Sequence, residues 1–96
     1  MKTFRRDKLR RLCESGRLVL VESYHFDDMT GSESTTKEMP VAILPKDWTN
    51  RKEGICYLHT SDFDSSCGRS WMNDDGTVYL KVHSNCSYTF GIKEES

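Results

Sequence analysis

From Arg69 to Ile92 apolar and polar residues alternate with a period of two, interrupted by two turn-forming stretches, and this pattern predicts two consecutive β-hairpins. Asn73-Asp74-Asp75-Gly76 forms the first turn, Val78, Leu80 and Val82 alternate after it, and His83-Ser84-Asn85 forms the second, before Cys86, Tyr88, Phe90 and Ile92. A two-residue turn at Ser84-Asn85 would set Val82 against Ser87 and split the apolar residues between two faces. A three-residue loop sets Val82 against Cys86, Leu80 against Tyr88 and Val78 against Phe90, all on one face. The three-residue loop is the predicted one, with Asn85 accepting the left-handed conformation it needs. In the preceding hairpin, an Asp74-Asp75-Gly76 loop would put Met72 over Val78 and leave Trp71 outside. A four-residue loop starting at Asn73 puts Trp71 over Val78 instead, buries more apolar surface and is predicted for that reason.

Upstream, the spacing of Leu9, Leu12 and Cys13 predicts a helix over about 3–15, with Phe4 at the margin of its apolar side, Thr3 as N-cap and Ser15-Gly16 as the stop. Residues 17–26 read as the longest strand, with Leu18, Leu20, Tyr24 and Phe26 on one face and Val19 and Val21 on the other. Residues 27–38 are polar and aperiodic and predict a flexible loop. A strand over 39–44 is bracketed by Pro40 and Pro45, which suits a sheet edge or an early end. A loop or single helical turn at 46–53, a strand at 55–60 and an acidic loop at 61–68 lead into the hairpin strands at 69–72, 77–82 and 86–92. The predicted fold is α+β: one domain, 1–96, in which an N-terminal helix packs on a curved, meander-like antiparallel sheet of five or six strands, with a small barrel as the closed variant.

Composition changes this picture little. The 96 residues include 35% hydrophobic and 10% aromatic positions, enough for a folded unit with a modest core. No apolar run approaches the length of a membrane span, and the charged N-terminus lacks a signal-peptide stretch, so a cytoplasmic protein with reduced thiols is expected. The net charge of −1 conceals a split: residues 1–17 hold seven basic and two acidic groups, leaving seven basic and thirteen acidic for the rest.

Each candidate chemistry has a plainer competitor. Cys56, His59, Cys67, His83 and Cys86 offer soft sulfur and nitrogen donors at zinc-knuckle spacing. Against zinc, positions 56 and 59 of a regular strand face opposite ways, and the predicted hairpin register sends Cys86 into the core. Asp62-x-Asp64-x-Ser66 opens like a calcium loop but has Cys67 where glycine belongs and Asn73 where glutamate belongs. No phosphate-binding glycine loop, nucleophile elbow or HExxH is present, so no enzymatic activity and no cofactor are expected. Arg5, Arg6, Lys8, Arg10 and Arg11 on the helix could neutralise phosphates, and the plain alternative is a solvated amphipathic helix. Asp62, Asp64, Asp74 and Asp75, with Asp27 and Asp28, would form a negative patch for a protein partner if their loops cluster. Tyr79 and Trp48 are candidate contact aromatics. The expected function is a non-catalytic cytosolic binding module engaging nucleic acid through the basic helix. A protein-binding inhibitor or adaptor using the acidic loops is the alternative, and a zinc-stabilised module or small enzyme stands behind it. No membrane contact is expected, and oligomeric state is not readable.

Overall fold

The computed structural model describes residues 2–64 and 66–94, with the Trp48 side chain outside that description. In chain order the elements are β1 (Lys2–Thr3), α1 (Arg6–Glu14), β2 (Leu18–Asp27), β3 (Gly31–Thr35), β4 (Met39–Ile43), β5 (Cys56–Leu58), α2 (Ser61–Asp64), β6 (Arg69–Met72), β7 (Val78–His83) and β8 (Cys86–Ile92). The sheet runs β1-β6-β7-β8-β2-β4-β5, with β3 paired to β2 off this path. All pairings are antiparallel except β4 with β5. The eight strands exceed the five or six expected, and the sheet stays open: among the described residues no ladder joins β1 to β5.

Three local devices explain where the strands depart from simple alternation. Residues 31–35, expected within a flexible loop, form β3 because β2 extends beyond β4 and offers its backbone from Ser23 to Asp27. The turn before β3 is closed by the Met29 N–H donating to Asp27 Oδ1 at 2.8 Å and by Gly31 at φ +84°. Second, β2 carries a bulge at Val21: Leu20 pairs Phe90, but Glu22 pairs Thr89. Beyond it the faces exchange. Ser23 rather than Tyr24 lies opposite core-facing Tyr88, so Tyr24 and Phe26 sit on the face opposite Leu18 and Leu20, contrary to the expected shared face. Third, the segment 44–55 crosses over so that β5 runs parallel to β4, which a meander would not give.

The closing hairpin combines both registers considered for it. Val78 pairs Phe90 and Leu80 pairs Tyr88, as the three-residue loop requires, yet His83 pairs Cys86 across a two-residue Ser84-Asn85 turn. An irregularity at Val82 absorbs the difference, so Val82 and Cys86 are both buried. Asn85 is not left-handed, since no described residue other than glycine has positive φ. In the preceding hairpin Met72 pairs Val78 and Trp71 pairs Tyr79, which overturns the predicted burial of Trp71 over Val78. Gly76 at φ +87° permits the short Asp74-Asp75-Gly76 loop, and Asn73 N–H donates to the Thr77 carbonyl at 2.8 Å to close it.

Helix α1 starts at Arg6, later than expected, because Lys2 and Thr3 pair with Met72 and Trp71 as β1. Thr3 is therefore no N-cap, and Arg5 occupies that position without a side-chain cap. The stop at Ser15-Gly16 is as read, with Gly16 at φ +76°. Leu9 and Cys13 of α1 and Phe63 of α2 join Leu18, Leu20, Val78, Leu80 and Phe90 in the core. Both α-helices thus cover one face of the sheet, and among the described residues neither packs on the Trp71–Tyr79 face.

Candidate nucleic-acid interface

The uncovered face is built from ladder rows. One row runs Thr3–Trp71–Tyr79–Thr89–Glu22 across β1, β6, β7, β8 and β2, and the next runs Arg69–Lys81–Ser87–Tyr24. Directly opposite residues in a sheet project to the same side, so two aromatics and two cations stand together on β6 and β7. The Trp71 and Tyr79 rings are stacked, with centroids 4.4 Å apart and planes 24° apart. Both residues are half-buried.

At the β6 edge this face opens into a groove of about 420 Å³. Lys2, Arg5, Arg6 and Arg69 line it together with Trp71. Its walls are fixed by backbone contacts: Phe4 N–H donates to the Ser70 carbonyl at 3.4 Å, and the Ser70 hydroxyl donates back to the Phe4 carbonyl. Phe4 turns inward, 7% exposed, and anchors the segment between β1 and α1. Four basic residues from β1, the α1 entry and β6 thereby line one groove with Phe4 and Trp71. Arg5 Nε lies 3.2 Å from the Asp7 carboxylate in an exposed pair that contributes little.

The five basic residues singled out on the helix are divided by this geometry. Arg5 and Arg6 face the groove. Lys8 lies with Nζ 5.1 Å from the Phe4 ring centroid. Arg10 turns to Glu14 at 2.8 Å and toward Asp64 at 3.9 Å, and Arg11 is exposed in the last turn of α1. Lys2, Arg69 and Trp71 were missed. The signal that finds Arg69 and Trp71 is Gly76: its place at the end of a three-residue loop fixes the register that turns Trp71 outward beside Tyr79, whereas Lys2 is placed by the β1–β6 pairing.

The acidic candidates do not all gather into one surface. Asp74 and Asp75 occupy the turn that precedes β7. Asp62 acts electrostatically on Cys86, at the far end of β7, a strand of about 20 Å at ~3.3 Å per residue. The Asp62 carboxylate accepts the His59 N–H at 3.0 Å and Asp64 turns toward Arg10, so the calcium-like run is a helical turn. The contact proposed for Trp48 falls on a side chain outside the described residues.

Of the thiol and imidazole set, Cys56 and Cys86 come near each other at the core, beside Asp62. Among the described residues no three His, Cys, Asp or Glu side chains form a metal-holding group. Cys67, His59 and His83 are exposed, and His83 Nδ1 accepts the Asn85 N–H at 3.1 Å. Burial, followed by the charge of Asp62, pushes the Cys56 thiol up to about 11, and burial raises Cys86 as well. Among the described residues no buried side-chain nitrogen or oxygen lacks a hydrogen-bond partner, and no helix is long and apolar enough to cross a membrane. Protein-family models, curated proteins and solved structures contain no match to this chain.

Proposed function

We propose that the chain is a non-catalytic, cytoplasmic nucleic-acid-binding module whose contact surface is the cationic groove beside β6 rather than the length of α1. The observation that carries this reading is the convergence of Lys2, Arg5, Arg6 and Arg69 on one groove of about 420 Å³ bordered by Trp71. Cations gathered on one surface attract a polyanion, which releases its own counterions on binding. Guanidinium groups also fork onto phosphate oxygens, which suits Arg5, Arg6 and Arg69 to a phosphate backbone. The overall charge of −1 does not oppose this, because the field at short range is set by local groups and screened beyond about 10 Å.

The test is fluorescence anisotropy with a labelled oligonucleotide across a salt series. Four phosphate contacts on a single strand predict a log–log slope of about −3. Arg5→Ala combined with Arg69→Ala is expected to weaken binding at least tenfold (about 1.4 kcal/mol) and to flatten the slope. Arg11→Ala, on the exposed part of α1, is expected to change binding little. Absence of binding at low salt, or equal loss in both variants, counts against the groove.

A further inference from the structure

We infer that the nucleic acid bound is single-stranded and that its bases stack on the Trp71–Tyr79 pair. This rests on the nucleic-acid reading above and deepens it. Phosphate neutralisation alone does not distinguish a duplex from a single strand, but aromatic rings beside the cations do. In a duplex the faces of the bases are occupied by their neighbours, whereas an unpaired strand can present them to a ring. Trp71 belongs both to the cationic groove and to the stacked pair, with its ring centroid 4.4 Å from that of Tyr79. The backbone-binding and base-binding surfaces are therefore continuous.

The ladder adds a second reason. Arg69 and Lys81 pair with each other one row beyond Trp71 and Tyr79 on the same face. That is a two-residue step along the strands, roughly 6.6 Å, so cations flank the aromatic pair from the β6–β7 rows as well as from the groove. Neither helix packs on this face, because α1 and α2 place Leu9, Cys13 and Phe63 in the core on the other side. Glu22, at the β2 end of the aromatic row, sets the acidic limit of the surface. The occupied path is thus along β1, β6 and β7.

The probe is a labelled oligodeoxythymidine of about twenty nucleotides, compared with a duplex of the same length at about 50 mM salt. The single strand is expected to bind at least about tenfold more tightly, the scale of one base–aromatic stack. Trp71→Leu is expected to abolish this preference and Trp71→Phe to keep most of it, both checked for folding by circular dichroism. In a Trp48→Phe background the remaining indole, Trp71, is expected to be quenched by the single strand and not by the duplex. If the duplex binds as well as the single strand and Trp71→Leu changes nothing, stacking is overturned while the cationic groove stands. If neither probe binds, the nucleic-acid reading falls with it.

Discussion

At the scale of single residues, the core is marked by thiols that keep their protons. Cys13 and Cys56 are each pushed from the ordinary 9.0 up to about 11, mainly by burial; for Cys13 the next cause is Cys56, and for Cys56 it is Asp62. The Tyr88 hydroxyl is also raised, first by burial and then by its hydrogen bond with Cys86. The unfolded chain therefore releases the thiol protons at lower pH than the folded chain does. Folding stability from these groups is fully present below the ordinary value and falls as pH rises from 9.0 towards about 11. Urea midpoints measured below and above that window should drop for the native sequence, and drop less for Cys13→Ala combined with Cys56→Ala. An equal drop in both would assign the alkaline loss to other groups. The burial of Cys86 was legible from alternation, and the partial burial of Cys56 follows from β5 pairing with β4 across a crossover.

At the scale of elements, the strands that alternate cleanly are those the sequence specifies. The span of β8, Cys86–Ile92, and the pairs Val78–Phe90 and Leu80–Tyr88 follow from a buried face that tolerates no slip. What alternation does not reveal is an extra residue. Nothing in Leu20-Val21-Glu22 announces the bulge that moves Tyr24 and Phe26 to the opposite face. Backbone-driven pairing is hidden for a related reason: β3 pairs through main-chain groups while Ser32, Glu33, Ser34 and Thr35 stay exposed. The site was half legible, since Arg5 and Arg6 stood out as charge while Arg69 and Trp71 depended on a loop length. Gly76 sets that length, and it can be isolated. A Cβ built there meets nothing within 4 Å, so Gly76→Ala acts only through its φ of +87°. It should cost about 1 kcal/mol or more in the urea midpoint with an unchanged slope. Gly91→Ala, where the added carbon would lie 3.6 Å from a Val21 methyl and φ is not positive, should stay within about 0.5 kcal/mol. Equal effects would mean that the loop conformation is not what Gly76 supplies.

At the scale of the whole molecule, stability and the proposed binding surface are drawn from different parts of one sheet. The fully buried side chains Phe90, Leu9, Leu18, Leu58, Leu80 and Val78 hold β2, β5, β7 and β8 against the helices. The β2–β3 hairpin extends past this support: Phe26 is 36% and Met29 94% exposed. The radius of gyration of 13.1 Å slightly exceeds the ~12.5 Å expected for a sphere-like domain of this length, and the extents of 43 × 37 × 26 Å describe a flattened body. Opening free energies should follow the same division, because local unfolding is least costly where few apolar groups are buried. In native-state hydrogen exchange the amides of β7, β8 and the Leu18–Leu20 part of β2 should be the slowest, and those of β3 should exchange orders of magnitude faster. The amides of β6 carry the decisive reading. They lie between β7 and the two-residue β1, so without a ligand they should exchange at intermediate rates, and a bound oligonucleotide should slow β1 and β6 while leaving β3 unchanged. Protection appearing instead in β3 would relocate the binding surface to the β2–β3 hairpin, where Asp27, Asp28 and Glu33 would favour a cationic partner over nucleic acid.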